Sequence, residues 1–461
     1  MEQVKKRPEL LHCNQSHNIL RYLMLRDFGF LYYNCYKTKT RELELMAEII
    51  LVEKSYKELE YDLPGYPRAT FLMVFSPDRT KMASAHGNHS VYITDVATRK
   101  NIKILSGHPR TPWCITFHPS SSHILASGCL GGQVRVWDLR DGSKVWNAKS
   151  QTVIASLAFH PSEKLLVIAT NNEIHFWDWS QSEPFAVIST KTNLEKVRYV
   201  AFDNLGRKLI TGIGNSYIRE LRIFRTAGTE PSHSTQSSFC GTVIIGNNES
   251  SGPQFINNSR LRTGRRGELV LPYDDERPFQ GISSYRVQAW DFSKGEIPDI
   301  TNSEKNIVIN KCRIRNDASV NISSDGKLLA TCFMRAAGVY SLQWETLGEE
   351  IYCTKVYSPV VSVSISPTQE HLLLGLASSG IGNEYIMAII YRLKHTNIYY
   401  NNIRKYLHVM AKNNSMTWVR SLLQNNQSTR GHTSINCIRW APQPGQGLIY
   451  ATNTGRLAIL H

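Results

Sequence analysis

A repeat constrains this 461-residue chain more than any other feature. Four segments align with one another: FSPDRTKMASAHGNHSVYITDV from Phe75, FHPSSSHILASGCLGGQVRVWDL from Phe117, FHPSEKLLVIATNNEIHFWDW from Phe159 and FDNLGRKLITGIGNS from Phe202. Their leading phenylalanines are 42, 42 and 43 residues apart. Each unit reads as an apolar strand, a Pro/Asp/Gly turn, a second strand, a Gly/Asn turn and an alternating third strand. Val134 and Val136 on either side of Arg135 show the period-2 pattern of a half-buried strand.

The pattern resumes later. ISSDGKLLATCF from Ile322 and ISPTQEHLLLGLAS from Ile365 are 43 residues apart, and IRWAPQPGQGLIYATNTGRLAIL from Ile438 is a last copy. Between the two halves, YRVQAWDFS (Tyr285–Ser293) has the third-strand pattern of VRVWDLR. It reads as the displaced third strand of the fourth repeat, whose first two strands lie at about 198–213. A period of about 40–45 residues closed by Trp-Asp is the WD-repeat signature. Seven copies predict an all-β, seven-bladed propeller with a split fourth blade. Within it, His108, Ser127 and Trp137 fit the hydrogen-bonded network of a WD repeat. Gly131 stands where that network has an Asp, so the network is incomplete. Packing explains these residues, because a catalytic site would not recur in every blade.

Three segments fall outside the blades, and they set the expected domains. Residues 1–65 are a helical segment, 66–224 the first half of the propeller, 225–283 an insertion, and 284–461 the second half with a basic insertion at 394–433. In the first segment, Ser16 caps a helix to Phe28 and Gly29 stops it. Ile19, Leu20, Leu23 and Met24 share one face of that helix. Thr40 caps a second helix to about Tyr61, with Leu43, Met46, Ile50 and Leu59 turned inward. Residues 225–283 are rich in Ser, Asn, Gly and Pro, the composition of disorder. The segment IYYNNIRKYLHVMAKN reads as an amphipathic helix. Residues 394–433 hold six Lys/Arg and no acid, and Arg404, Lys405 and Lys412 form a candidate patch for an acidic partner, anionic lipid or nucleic acid.

Composition narrows the class. The net charge is +15, which suggests an acidic partner and says nothing of fold. Nine scattered Cys form no CxxC pair, which fits a reducing compartment and neither a disulfide framework nor a zinc module. The first residues carry no apolar signal-peptide core, and no apolar run approaches a membrane span. GxSxG, HExxH, Walker A and metal-spaced Cys/His motifs are absent. The chain therefore reads as a non-enzyme that needs no metal or cofactor.

Several stretches carry a more specific resemblance. RATFLMVFSPDRTKMASAH, GHPRTPWCITFHP, HILASGCLGGQVRVWDL, NEIHFWDWSQSEPFAV, YRVQAWDF, KCRIRNDASVNISSDGKLLATC and INCIRWAPQPGQGLIYATNTGRLAI resemble the WD-repeat region of the family of activating molecules in Beclin-regulated autophagy, the Ambra-like family. The resemblance runs from about 66 to 461 and includes residues between strands. It implies a substrate receptor of a cullin-four RING ubiquitin ligase that docks on a DDB-type adaptor and recruits proteins such as D-type cyclins. It also implies a role in autophagy through Beclin and the autophagy-initiation kinase complex. The location it implies is the cytoplasm, with nuclear or autophagosome-forming membrane association. Such receptors dock through an N-terminal helical box and a WDxR motif. The Ser16–Gly29 helix resembles the box, with Ile19, Leu20, Leu23 and Met24 as anchors, and Trp137-Asp138-Leu139-Arg140 matches WDxR, with Arg140 as an orienting contact. Trp177-Asp178-Trp179-Ser180 and Trp290-Asp291-Phe292-Ser293 lack the Arg. Family members are longer, and their Beclin-binding region and tail motifs map to stretches this chain does not contain.

Overall fold

The computed structural model describes residues 33–149 apart from 66 and 68, then 152–215, 284–377, 384–393, 416–425 and 433–461. The described strands form seven four-stranded antiparallel sheets, each a blade. Blades one to three run from Thr70 to Ser189 in chain order. Their inner strands, Thr70–Phe75, Pro112–His118 and Ile154–Phe159, stand side by side around the axis. The pattern that predicted strands is the pattern that buries them: Leu166–Thr170, a second strand, is buried at every position, as expected of a strand covered on both faces.

The fourth blade is split as the sequence predicts. Lys208–Gly214 pairs with Tyr285–Asp291 in unbroken register, from Lys208 opposite Asp291 to Gly214 opposite Tyr285. The second and third strands of one hairpin are thus joined through residues 215–284. The cost of closing a loop grows only logarithmically with its length, so such an insertion leaves the ladder intact. The expected insertion 225–283 lies outside the described residues.

Two boundaries differ from expectation. The second N-terminal helix, α1, spans Tyr33–Glu53 and stops before Tyr61, with Thr40 inside it and not at its cap. Beyond it comes a strand, β1 (Glu58–Glu60), which pairs antiparallel with Leu457–Leu460 and is the outermost strand of the seventh blade. Leu59 therefore belongs to a sheet edge and not to a helix face. Residues 394–433 are likewise not all insertion: Thr417–Asn425 is the outer strand of the sixth blade, paired with Glu384–Arg392. The predicted 399–412 helix, with Arg404, Lys405 and Lys412, lies outside the described residues.

Polar side chains stitch inner strands of neighbouring blades together. The Ser156 hydroxyl donates to the Val200 carbonyl and accepts from the Val200 N–H at 3.3 and 3.2 Å. Ser362 makes the same double contact with Ile438 at 3.0 and 3.1 Å. Asn321 accepts from the Ile365 N–H at 2.8 Å, and Asn436 donates to the Thr70 carbonyl at 2.9 Å. Each of these bonds joins an inner strand to that of the next blade, pairing buried or half-buried polar groups across the seam.

The link into the fifth blade fills the axis. Asn316 donates to the Phe71 carbonyl of the first blade at 3.4 Å, and Ala318 packs into the first blade's core. Arg439 of the seventh blade donates to the carbonyls of Asp317 and Val363, both at 3.0 Å. Blades one and five are not neighbours in a ring of seven, so these contacts cross the channel. Asp317 Oδ1 is closed off from solvent without a hydrogen-bond partner. Burial pushes the Asp317 carboxyl up to about 7, against the opposing effects of Ser156 and Arg439.

Ring closure and the channel plug can each be tested by one substitution. Both backbone groups of Lys57 bond to His461, and the Tyr61 N–H bonds to the Leu457 carbonyl. The alternation of an antiparallel ladder then turns the Leu59 N–H inward. Leu59→Pro removes that donor and lowers unfolding stability by about 3 kcal/mol, read by denaturant titration. For Asp317 the folded pKa lies above the unfolded value, so its stabilising contribution is complete below about pH 4 and is lost as pH rises to about 7. Asp317→Asn should melt higher than the parent above pH 7, and the gap should close as pH falls toward 4.

Candidate protein-docking site

Helix α1 has two faces, and the structure turns them opposite to the expectation. Leu43, Met46 and Ile50, expected to face inward, are 47%, 51% and 60% exposed. Glu48, Leu51 and Val52 are the buried side chains. At 100° per residue the two stripes are centred about 160° apart, so one helix presents both. Both stripes are apolar enough to be a core face, and a charged residue inside one of them hid the true choice.

That residue is Glu48. Its Oε1 lies 2.6 Å from His371 Nδ1, and both side chains are fully buried. Its Oε2 accepts the Thr368 N–H at 3.2 Å. His371 Nε2 has no partner. Beside this pair, Leu51 and Val52 join a core cluster with Val361, Leu373, Trp440 and Tyr450 from the sixth and seventh blades. Ala47 lies against Gly445, where an added Cβ would sit 3.0 Å from the Ala47 Cβ. Gly445 also has φ +78°, so the turn beneath the helix takes glycine for two reasons.

The end of the helix is held by Arg420 on the outer strand of the sixth blade. Its guanidinium donates to the Val52 carbonyl at 3.3 Å and to the Lys54 carbonyl. A cation at a helix C-terminus meets the negative end of the dipole. The same guanidinium stands 4.7 Å above the Tyr56 ring. Burial raises the Tyr56 hydroxyl to about 12, with Arg420 opposing. Of the basic residues in 394–433, the described Arg420 thus holds this helix. The described Arg439 and Arg456 further on also have internal partners, Arg456 lying 2.7 Å from Glu58.

Arg140 lies at the same end of the propeller. Thr368, His371 and Gly445 belong to turns between first and second strands, or beside them, and Arg140 to a turn between third and fourth strands. Antiparallel alternation puts those two kinds of turn at one end. Arg140 is 67% exposed by its side chain and folds back on Asp138, with Nε at 3.2 Å and Nη2 at 3.1 Å. This contact holds the Asp138 carboxyl below the usual carboxylate range. The Arg140 N–H also donates to Asp138 Oδ1 at 2.9 Å. Ser180 and Ser293 make the same backbone contact with Asp178 and Asp291, at 2.9 and 3.0 Å. Each turn thus pairs the Asp with an N–H two residues on, and in the turns of Arg140 and Ser180 the side chain at that position bonds the same Asp. Ile19, Leu20, Leu23 and Met24 lie outside the described residues.

The WD network forms as far as its residues allow. Ser127 Oγ is 2.7 Å from His108 Nε2 and accepts from Trp137 Nε1 at 2.7 Å. His108 Nδ1 has no partner, which is where the missing Asp would bind. Arg135 sits there in part: it donates to the Gly107 carbonyl at 2.8 Å and stands 5.3 Å over the Trp137 ring. Burial, then the Arg135 charge, pulls His108 down to about 4. The fourth blade keeps only the last step, Trp290 Nε1 to Thr211 Oγ1 at 3.0 Å. A second buried ion pair there, Arg286 with Glu195 at 3.2 Å, escaped the sequence reading because no motif marks it. Among the described residues no group of three or more His, Cys, Asp or Glu is placed to hold a metal. Among them too, no helix is long and apolar enough to cross a membrane.

Comparison with known proteins agrees with this geometry. Residues 99–138 match the WD domain, G-beta repeat family. A 160-residue stretch, 35% of this chain, is 57% identical to activating molecule in BECN1-regulated autophagy protein 1B of Danio rerio. A stretch of 175 residues, 38% of the chain, is 52% identical to protein 1A of the same name and organism. These alignments cover 12% and 13% of the two relatives, so the chain matches a small part of their length. The β-propeller domain of Cps50 (Swd1) from Myceliophteria thermophila superposes on 88% of this chain with a TM-score of 0.53 at 13% identity, which speaks to fold alone. The resemblance to this family is borne out over the aligned third of the chain.

Removing Glu48 leaves His371 Nδ1 buried without its partner, a change that costs about 1–3 kcal/mol. Glu48→Ala should speed amide exchange across 40–53 while the inner strands of blades one to five keep their protection.

Proposed function

We propose that this protein is a substrate receptor of a cullin-four RING ubiquitin ligase with a linked role in autophagy. It docks on a DDB-type adaptor through its N-terminal helical segment and brings substrates such as D-type cyclins to the ligase. The observation that carries the reading is α1. Its Glu48 face is seated on the sixth and seventh blades, and its Leu43, Met46, Ile50 stripe is left exposed. Propeller closure needs β1 and not this stripe. An exposed apolar stripe on a fixed helix suits helix-in-groove docking, in which a few apolar side chains act as anchors.

In this reading Ile19, Leu20, Leu23 and Met24 supply further anchors. Arg140 exchanges its Asp138 partner for an acceptor on the adaptor, which sets orientation more than affinity. The propeller chain performs no chemistry. It raises the local concentration of a substrate near the charged conjugating enzyme. The names of the two fish relatives support the autophagy link, and Beclin and the initiation kinase complex are its proposed partners.

A second reading is a scaffold for autophagy regulators that works without a ligase, which the same names support equally. A third, binding of anionic lipid or nucleic acid through Arg404, Lys405 and Lys412, is weakened because the described basic residue of that region, Arg420, is engaged by α1. Titration of the purified chain against the purified DDB-type adaptor separates them. Leu43→Asp with Ile50→Asp should weaken adaptor binding by about 100-fold or more, with the melting temperature little changed because both side chains are exposed. A folded parent chain that does not bind the adaptor would favour the scaffold.

A further inference from the structure

The links between blades and the hairpins between second and third strands share the end of the propeller opposite Arg140 and α1. At this end the fifth blade brings three chain pieces together. The Arg313 N–H donates to the Cys332 carbonyl at 3.0 Å, the Val356 N–H to the Arg335 carbonyl at 2.9 Å, and the Val360 N–H to the Met334 carbonyl at 3.3 Å. The incoming link 313–316, the hairpin 333–336 and the outgoing link 355–359 therefore form one corner. These pieces hold Arg313, Arg315, Arg335 and Lys355 and no acid. Arg315 and Arg335 are exposed and Arg313 is half-buried. Tyr357 is fully exposed and Met334 is 36% exposed.

The arginines of this corner differ from the other arginines that carry the fold. Arg286, Arg420, Arg439 and Arg456 each meet a carboxylate or carbonyl. Among the described residues, the guanidiniums of Arg313, Arg315 and Arg335 have no hydrogen-bond or ion-pair partner. The nearby acid, Asp317, has its Oδ1 closed off from solvent without a hydrogen-bond partner. Partial desolvation first, and then the charge of Arg313, pull Arg315 below the usual guanidinium range, with Cys332 opposing.

We propose that this corner docks an acidic peptide segment, its carboxylates on Arg313, Arg315 and Arg335 and an apolar side chain between Met334 and Tyr357. Planar guanidiniums bind carboxylates in a forked geometry, and exposed Tyr beside Arg is the usual composition of an interface hot spot. A nucleic acid would need a longer basic track and several stacking rings, whereas the corner offers one exposed ring. The site is independent of adaptor docking, since it lies at the other end of the propeller, and either a receptor or a scaffold can use it.

Fluorescence anisotropy with a short labelled Glu/Asp-rich peptide containing Leu and Tyr tests this. Its Gln/Asn counterpart and a single-stranded oligonucleotide of equal charge serve as comparison probes. The acidic peptide should bind at least about tenfold tighter than the neutral one, and weaken as salt rises. Arg313→Glu with Arg335→Glu should lose about tenfold or more at an unchanged melting temperature. Tyr357→Ala, whose ring touches solvent alone, should lose several-fold and guards against a folding defect in the double variant. Equal binding of acidic and neutral peptides would overturn the proposal. So would undiminished binding by the folded variants, or tighter binding of the oligonucleotide than of the acidic peptide.

Discussion

The structure depends on closing a ring. Seven sheets stacked around an axis leave two open faces unless the last blade is joined to the first. Here β1 does it, from the start of the chain, by hydrogen-bonding along Leu457–Leu460. The Tyr450 hydroxyl donates to Glu58, and Arg456 reaches both Glu58 and Glu60. Closure thus combines a backbone ladder with charged side chains at the seam. Because the closing strand precedes the first blade, whatever lies just upstream is delivered to the side of the sixth and seventh blades. Helix α1 is there for that reason.

Its attachment shows how one buried polar pair can decide orientation. Leu51 and Val52 alone are a small apolar anchor, and the other stripe of the helix is equally apolar. Glu48 facing His371 breaks the tie, since rotation of the helix would turn Glu48 to solvent and leave His371 buried without its partner. Arg420 then fixes the helix end, and Gly445 leaves room for the close approach of Ala47. The exposed stripe is thereby held in a set direction relative to the blades, which is what a docking element requires.

The two ends of the propeller differ in chemistry. At the end with α1 and Arg140, aspartates in the turns bond to backbone N–H groups and neighbouring side chains, so charges are locally matched. At the other end two acids are withdrawn from solvent: Glu195 pairs with buried Arg286, and the Asp317 carboxyl is buried. The arginines of the fifth-blade corner are left without counter-charges. Net charge of the chain gives no hint of this separation, because it arises from which loops antiparallel topology brings to each end.

The propeller, its seven blades and the split in the fourth are legible in the amino-acid order, because the repeat spacing and period-2 burial are local properties that the blades show again. That order also determined that the His108–Ser127–Trp137 chain would lack a member, since Gly131 carries no acceptor. The rest depends on contacts between distant parts of the chain. Three residues, Glu58–Glu60, carry too weak a local signal to be read as a strand, and only the free edge of Leu457–Leu460 makes them one. The face that α1 buries was settled by His371, 323 residues away in sequence. Thr417–Asn425 became a strand because Glu384–Arg392 offered an edge to pair with. In each case the deciding partner is distant along the chain, and periodicity reports only on neighbours.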